Sequence, residues 1–221
     1  MEETKHPVLE RPAPTLCADR VDYGLRDSVA FGNDGKRSLC RINSIPIGTL
    51  SIEEAHSIAE DLTTTILVTD GKPLMTFRHE SKALLFSKAY MACDALVWAN
   101  PKHLMMYELA GEIIRMANEL DLLKQDLWVS DEALWKMITS NPNCSSLKRL
   151  VEQIQDPRLL VLQSSDSDAR PIRLKSRTID PHVLVGTTNQ ISRLSEIMES
   201  YRKTLDLYKQ YKQQPVAALV I

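Results

Sequence analysis

The sequence predicts a mainly α-helical protein with two small β elements, near 64–78 and 158–178. Three observations carry that expectation. Apolar residues recur at helical spacing in long runs, separated by capping residues and prolines. Two short apolar or β-branched runs interrupt that period. Glycine is scarce, at 7 of 221 residues, and aromatics make up only 5%, a composition that disfavours barrels and sandwiches built on many tight turns.

The elements follow in order. Pro7, Pro12 and Pro14 keep the first sixteen residues out of helix. Ala18, Val21, Leu25 and Val29 then share one stripe of a helix that Gly32, Asn33 and Gly35 end. Ser51 with Glu54 forms a capping-box pair opening a helix over 52–62. Residues 64–68 and 74–77 flank Asp70-Gly71-Lys72-Pro73 as the arms of a hairpin. From Ser81 a wide apolar face carries Ala83, Leu84, Phe86, Ala89, Tyr90, Cys93, Leu96 and Val97, and Asn100-Pro101 breaks it and starts the next helix. That helix bears Leu104, Met105, Leu109, Ile113, Met116, Ala117 and Leu120. Ser130 opens another, with Asp131 and Glu132 suited to its positive end, and a further one covers 144–154. Residues 159–162 read as a buried strand. Over 170–177, Arg173, Lys175 and Arg177 face one way, as a phosphate-binding stripe or a solvated edge. Residues 189–212 read as one long helix and 216–221 as a short apolar tail. The change of pattern at Pro157 divides the chain into expected domains 1–156 and 157–221.

Charge and motifs exclude several function classes. Lys and Arg total 27 against 29 Asp and Glu, so the net charge of -2 gives no global attraction to nucleic acid or acidic membranes. Apolar runs never reach 18 residues, so no membrane span is expected. Cys17, Cys40, Cys93 and Cys144 are too far apart for a zinc pair and read as buried, reduced thiols. With residues 1–11 charged rather than apolar, a cytoplasmic location is expected. P-loop, Rossmann, zincin and nucleophile-elbow patterns do not occur.

The segment from Leu16 to Ser28 is the richest in chemistry. Asp19, Asp22, Tyr23 and Arg26 fall within about 100° of one helix face. Such a face can offer a carboxylate to a hard metal, a guanidinium to phosphate and a phenol to a sugar hydroxyl. It can equally be a solvated face with i,i+4 ion pairs, such as Asp22 with Arg26.

The order of residue types, Asp-Arg-hydrophobic-Asp-Tyr-x-x-Arg-Asp over 19–27, resembles the last motif of the HD-domain metal-dependent phosphohydrolases, in particular deoxynucleoside-triphosphate triphosphohydrolase-like members. Residues 6–11, 175–181, Trp98, and 126–128 with 131–134 are similar to other segments of those proteins. The resemblance implies a partial HD-type helical bundle over 1–156, carrying the hairpin as an insertion. It implies a strand pair plus long helix over 157–221. It implies Asp19 as a metal ligand, Arg20 at a phosphate-meeting position, and Tyr23 and Asp27 at sugar-holding positions, with Lys82 and Tyr90 as further substrate contacts on a later helix. The family's cofactor is a divalent metal of the Mn/Mg/Fe type, held by a His, a His-Asp dipeptide and the distant Asp. None of His6, His56, His79, His103 and His182 is followed by Asp, and only 18 residues precede Asp19. The expectation is therefore a C-terminal portion lacking the upstream His and His-Asp motifs. Such a chain is a homologue of enzymes acting on nucleotide or other phosphate esters, inactive alone and not binding the metal tightly. The alternative is a non-catalytic helical binding or assembly module that keeps a nucleotide-facing surface, a role compatible with a homo-oligomer.

Overall fold

The structure is a computed structural model. It describes residues 6–32, 36–42, 44–66, 71–123, 130–140, 145–156, 160–163, 170–172, 177–186, 190–213 and 216–220. In chain order the elements are α1 (Ala18–Ala30), β1 (Leu39–Ile42), β2 (Ile45–Gly48), α2 (Ile52–Asp61), β3 (Leu62–Ile66), β4 (Pro73–Phe77) and α3 (Glu80–Cys93). A π-helical turn (Asp94–Trp98) follows, then α4 (Pro101–Glu119), α5 (Asp131–Thr139), α6 (Ser145–Gln155), β5 (Leu160–Gln163) and β6 (Arg170–Ile172). The chain ends in β7 (His182–Val185), β8 (Gln190–Arg193), α7 (Leu194–Ile197), α8 (Glu199–Gln213) and β9 (Val216–Val220). The mainly α class holds, with small β elements at the hairpin and beyond.

Local signals explain the starts of α2, α4 and α5. The Ser51 hydroxyl accepts from the Glu54 N–H at 3.2 Å, and Glu54 accepts from the Ser51 N–H at 3.0 Å, completing the capping box. Asn100 caps α4 by accepting from the Lys102 N–H at 2.9 Å, with Pro101 in the first turn. Ser130 caps α5 from its hydroxyl at 3.3 Å.

The chain folds as two compact units. The first comprises Met1–Ala99 and Lys175–Gln214, the second Asn100–Leu174 and Pro215–Ile221. Residues 1–156, expected as one domain, contribute to both units, as do residues 157–221.

In the first unit α1 lies against α3 at Gly24. A Cβ there would sit 2.8 Å from Cζ of Phe86 and 3.2 Å from Cδ2 of Tyr90, so only glycine permits this approach. Phe77, Phe86, Tyr90, Tyr201 and Tyr208 fill the core beside them. The four-stranded sheet runs β3-β4-β7-β8. The expected hairpin is its β3–β4 pair, antiparallel from Leu62 opposite Phe77 to Ile66 opposite Pro73. Leu67 and Val68, expected to extend it, lie outside the described residues. β7 joins β4 in parallel and β8 in antiparallel fashion. Polar tips of the buried tyrosines are satisfied: Tyr201 donates to the Ile179 carbonyl at 2.5 Å, and Tyr208 donates to Asp94 Oδ2 at 2.8 Å.

In the second unit α4, α5 and α6 bury Ile113, Ala117, Ile138, Leu147 and Val151 together with Leu123. Its sheet runs β5-β9-β6, both outer strands antiparallel to β9.

Three expectations are corrected. The strands near 158–178 do not pair with each other; β9, read from sequence as a tail, lies between them. The helix expected over 189–212 starts later. Gln190–Arg193 is strand, because its backbone completes the ladder of β7, and the continuous helix begins at Glu199. The β1–β2 hairpin and the β7–β8 pair were not expected, their strands being only four residues long. Among the described residues no helix is long and apolar enough to cross a membrane.

This packing can be tested at two positions. Gly24→Ala forces the methyl into the Phe86 ring and costs about 1–3 kcal/mol, outweighing the better helix propensity of alanine; urea denaturation measures it. His182 is buried in β7, and its Nδ1 has no partner among the described residues. Burial, with a smaller push from Arg193, lowers its pKa from 6.5 to about 4, while Asp180 and Glu196 oppose the fall. The unfolded chain then binds a proton that the folded chain refuses, so this contribution is present above pH 6.5 and is lost as pH falls toward 4. The loss reaches up to about 3 kcal/mol. Stability measured across that window should fall less steeply in His182→Gln.

Candidate functional site

The motif helix α1 is amphipathic in the expected sense: Val21, Gly24 and Ser28 are buried, and Asp19, Asp22 and Arg26 are exposed. Arg26 donates to Asp22 Oδ2 at 2.9 Å on the exposed side, the i,i+4 pair expected of a solvated face. Exposed pairs of this kind contribute little to stability.

Arg20 is half-buried, and its Nη1 is committed to the chain's own lead-in. It donates to the carbonyls of Arg11 at 2.5 Å and Thr15 at 3.1 Å and meets Cys17 Sγ at 3.0 Å. Its Nη2 lies 3.6 Å from Glu10. The lead-in is further fixed by the Ala18 N–H donating to the Val8 carbonyl at 2.7 Å, and by Arg11 donating to the Pro73 carbonyl at 3.0 Å. The resemblance implied a phosphate-meeting position for Arg20; its observed partners make it a staple for residues 10–17.

Tyr23 and Tyr90 do meet. Their hydroxyls hydrogen-bond to each other, with ring centroids 5.8 Å apart. Burial pushes the Tyr23 hydroxyl above its ordinary pKa, while the bond to Tyr90 and the guanidiniums of Arg20 and Arg177 pull it down. Burial also raises Tyr90, and the bond to Tyr23 adds to that rise. Both phenols therefore stay protonated at neutral pH and act as hydrogen-bond donors and acceptors, not as bases.

Trp98 closes the group. Its ring packs edge-on to Tyr23 at 4.9 Å and to Tyr90 at 5.0 Å, and its Nε1–H donates to Asp27 Oδ2 at 2.8 Å. Asp27 is thus drawn to the same cluster as the two tyrosines. Lys82 is not: its Nζ donates to Ser57 Oγ on α2 at 2.5 Å. Arg173 and Lys175 lie outside the described residues, and Arg177 is half-buried. Cys17 and Cys93 are buried free thiols, with Cys93 pushed up to about 12 by burial; Cys144 lies outside the described residues.

Four of the six expected site residues lie on α1, and Tyr90 is brought to two of them, Tyr23 directly and Asp27 through Trp98. Sequence reasoning missed the Trp98–Asp27 link and the pairing of Asp94 with Lys212, whose Nζ lies 3.0 Å from Asp94 Oδ2 with both side chains buried. Helical spacing gave no signal for the first because the chain leaves α geometry at Asp94.

The chain is similar to two curated proteins. It is 31% identical over 202 residues, 90% of its length, to the Metal-dependent phosphohydrolase cns2 of Cordyceps militaris. It is 24% identical over 203 residues, 91% of its length, to the Uncharacterized protein YdhJ of Bacillus subtilis. The chain spans about half the length of these curated relatives, 53% and 54%. No family model and no solved structure matches it.

The name of the cns2 protein describes it as dependent on a metal ion. Among the described residues, no group of three His, Cys, Asp or Glu side chains could hold one. Asp19 is exposed, His79 is bonded through Nδ1 to the buried Asp61, and His182 is buried in the sheet. The described residues therefore do not fit the metal on their own.

Arg20→Met removes the staple while keeping the stem. Hydrogen exchange of residues 10–17 should then quicken by about tenfold or more, since several bonds from one charged group are lost, whereas exchange in α3 should hold.

Proposed function

We propose that this chain is the substrate-contacting part of an HD-type phosphohydrolase acting on nucleotide or other phosphate esters. The observation that carries the reading is the cluster of Tyr23, Tyr90, Asp27 and Trp98 around the helix that bears the Asp-Arg motif, together with the similarity to the cns2 protein over 90% of the chain. Two protonated phenols and a carboxylate suit a sugar with vicinal or single hydroxyls. Asp19, exposed at the start of the same helix, is the proposed metal ligand. Arg20 and Lys82 are proposed to meet phosphate, which requires each to exchange a present partner for the substrate.

One carboxylate cannot retain a divalent ion, so the remaining ligands come from outside the described residues, and the chain alone is proposed not to hydrolyse phosphate esters. The lack of a ligand group among the described residues favours a second reading, a non-catalytic binding or assembly module that retains the same surface.

The test pairs two measurements on this chain. Incubation with Mn²⁺ and deoxynucleoside triphosphates should release no phosphate. Calorimetry with dATP should show saturable binding that weakens about tenfold in Asp27→Leu and in Tyr90→Phe, the loss of one hydrogen-bonding group each. Phosphate release that depends on Asp19 would overturn the inactivity. Absence of binding by any nucleotide or phosphate ester would remove the substrate reading. A change in elution volume with dATP during size exclusion would favour the assembly module.

A further inference from the structure

Trp98 is the residue on which the aromatic cluster converges, and its position depends on a break in helix geometry. An α-helix turns about 100° per residue, so residues eight apart, like Tyr90 and Trp98, would lie about 80° apart around a continuous α3. From Asp94 the chain adopts π register, and the Ala99 N–H donates to the Asp94 carbonyl at 2.8 Å, five residues back. The wider turn brings Trp98 back over Tyr90, with ring centroids 5.0 Å apart. The indole then reaches Tyr23 and Asp27 on α1.

The start of this turn is locked from α8. The Asp94 carboxylate, fully buried, accepts from Tyr208 and pairs with Lys212. Lys212 itself is only 4% exposed, and its charge is held in place by this one carboxylate among the described residues. Two buried charges at the first residue of a single π-turn are costly to place where packing alone would serve.

We propose that Trp98 is the positioning residue of the Tyr23–Tyr90–Asp27 cluster, and that the Asp94–Lys212 pair fixes the π-turn that aims it. The inference rests on the cluster being the substrate-facing surface only for its binding arm; its structural arm stands apart.

For the structural arm, the indole N–H signal of Trp98 is assigned by its loss in Trp98→Phe, and its exchange with solvent is followed by NMR. Tyrosines labelled at Cζ report alongside, with Tyr201 as the buried reference and Tyr107 as the exposed one. In the combined Asp94→Asn, Lys212→Met variant, which leaves no buried charge unpaired, the indole N–H should exchange about tenfold or more faster. The Tyr23 and Tyr90 signals should shift while Tyr201 and Tyr107 stay. Unmoved Tyr23 and Tyr90 signals in a folded variant would overturn the role of the pair. An indole N–H that exchanges in the native protein as fast as an exposed one would overturn the role of Trp98. If the double variant does not fold, Asp27→Leu replaces it, because it removes the acceptor of the indole N–H from a half-buried position on α1 and so breaks the link from its other end.

For the binding arm, dATP affinity is measured in Trp98→Phe, Asp27→Leu and the combination. Each single change should weaken binding about tenfold, and the pair no further, because both cut the same link. Additive losses would overturn the positioning role. If native protein binds no dATP, the substrate reading fails and the exchange data still decide what Trp98 does.

Discussion

The close approach of α1 and α3 at Gly24 is the constraint on which the rest of the candidate site depends. With no side chain at that position, the Phe86 and Tyr90 rings press against the α1 backbone. Tyr23, one residue earlier, is thereby within hydrogen-bonding reach of Tyr90 across 67 positions of sequence. Separation of the two helices by even one methyl would leave the hydroxyls apart and would open a path for water to the buried phenol. The same contact places Asp27, one turn further along α1, opposite the end of the π-turn, where Trp98 meets it.

Charge at the site is arranged differently from what residue types alone suggest. The motif carries two arginines, yet Arg20 is turned to the backbone of the lead-in and Arg26 to Asp22 and Asp27. The cluster itself consists of neutral hydrogen-bonding groups and one carboxylate. Under the proposed reading, such groups would suit hydroxyl groups and ring stacking more than phosphate. Phosphate recognition through Arg20 would release residues 10–17 from their anchor, so ligand binding and order in the lead-in would be coupled by one guanidinium.

Much of the fold was legible because its signals are local. The capping box at Ser51, the break at Asn100-Pro101 and the hairpin over 64–78 each depend on a few neighbouring residues, and each forms. The four-residue strands β7 and β8 were not legible, since each is too short to show a pattern, and they join the sheet through a parallel ladder from β7 to β4, more than a hundred residues earlier. The helix expected over 189–212 failed for the same reason: its charged second half spoke for all of it. At the site, the one-face arrangement of Asp19, Asp22, Tyr23 and Arg26 was readable from spacing. The partners of Arg20 and Lys82 were not, because a long cation's position is set by whichever acceptor packing leaves nearby.

The buried Asp94–Lys212 pair shows why the remainder could not be read from patterns. On sequence alone, Lys212 closes a helix with a polar exposed face, the usual place for a lysine. In the fold it is buried against the Tyr208 ring, with its charge answered by Asp94, far back along the chain. Burial lowers its pKa, and Asp94 raises it back toward the charged state, so the pair's stability rests on mutual neutralisation rather than on solvent. Apolar side chains of similar size could fill the same volume at no electrostatic cost, but they would not distinguish one register of the helix from another. A carboxylate with a hydroxyl and an ammonium fixed on a separate helix does distinguish them, because shifting Asp94 by one residue would part the buried carboxylate from the buried ammonium. The interaction therefore accounts for the persistence of π geometry at this point of the chain, and through that geometry it accounts for the location of the indole.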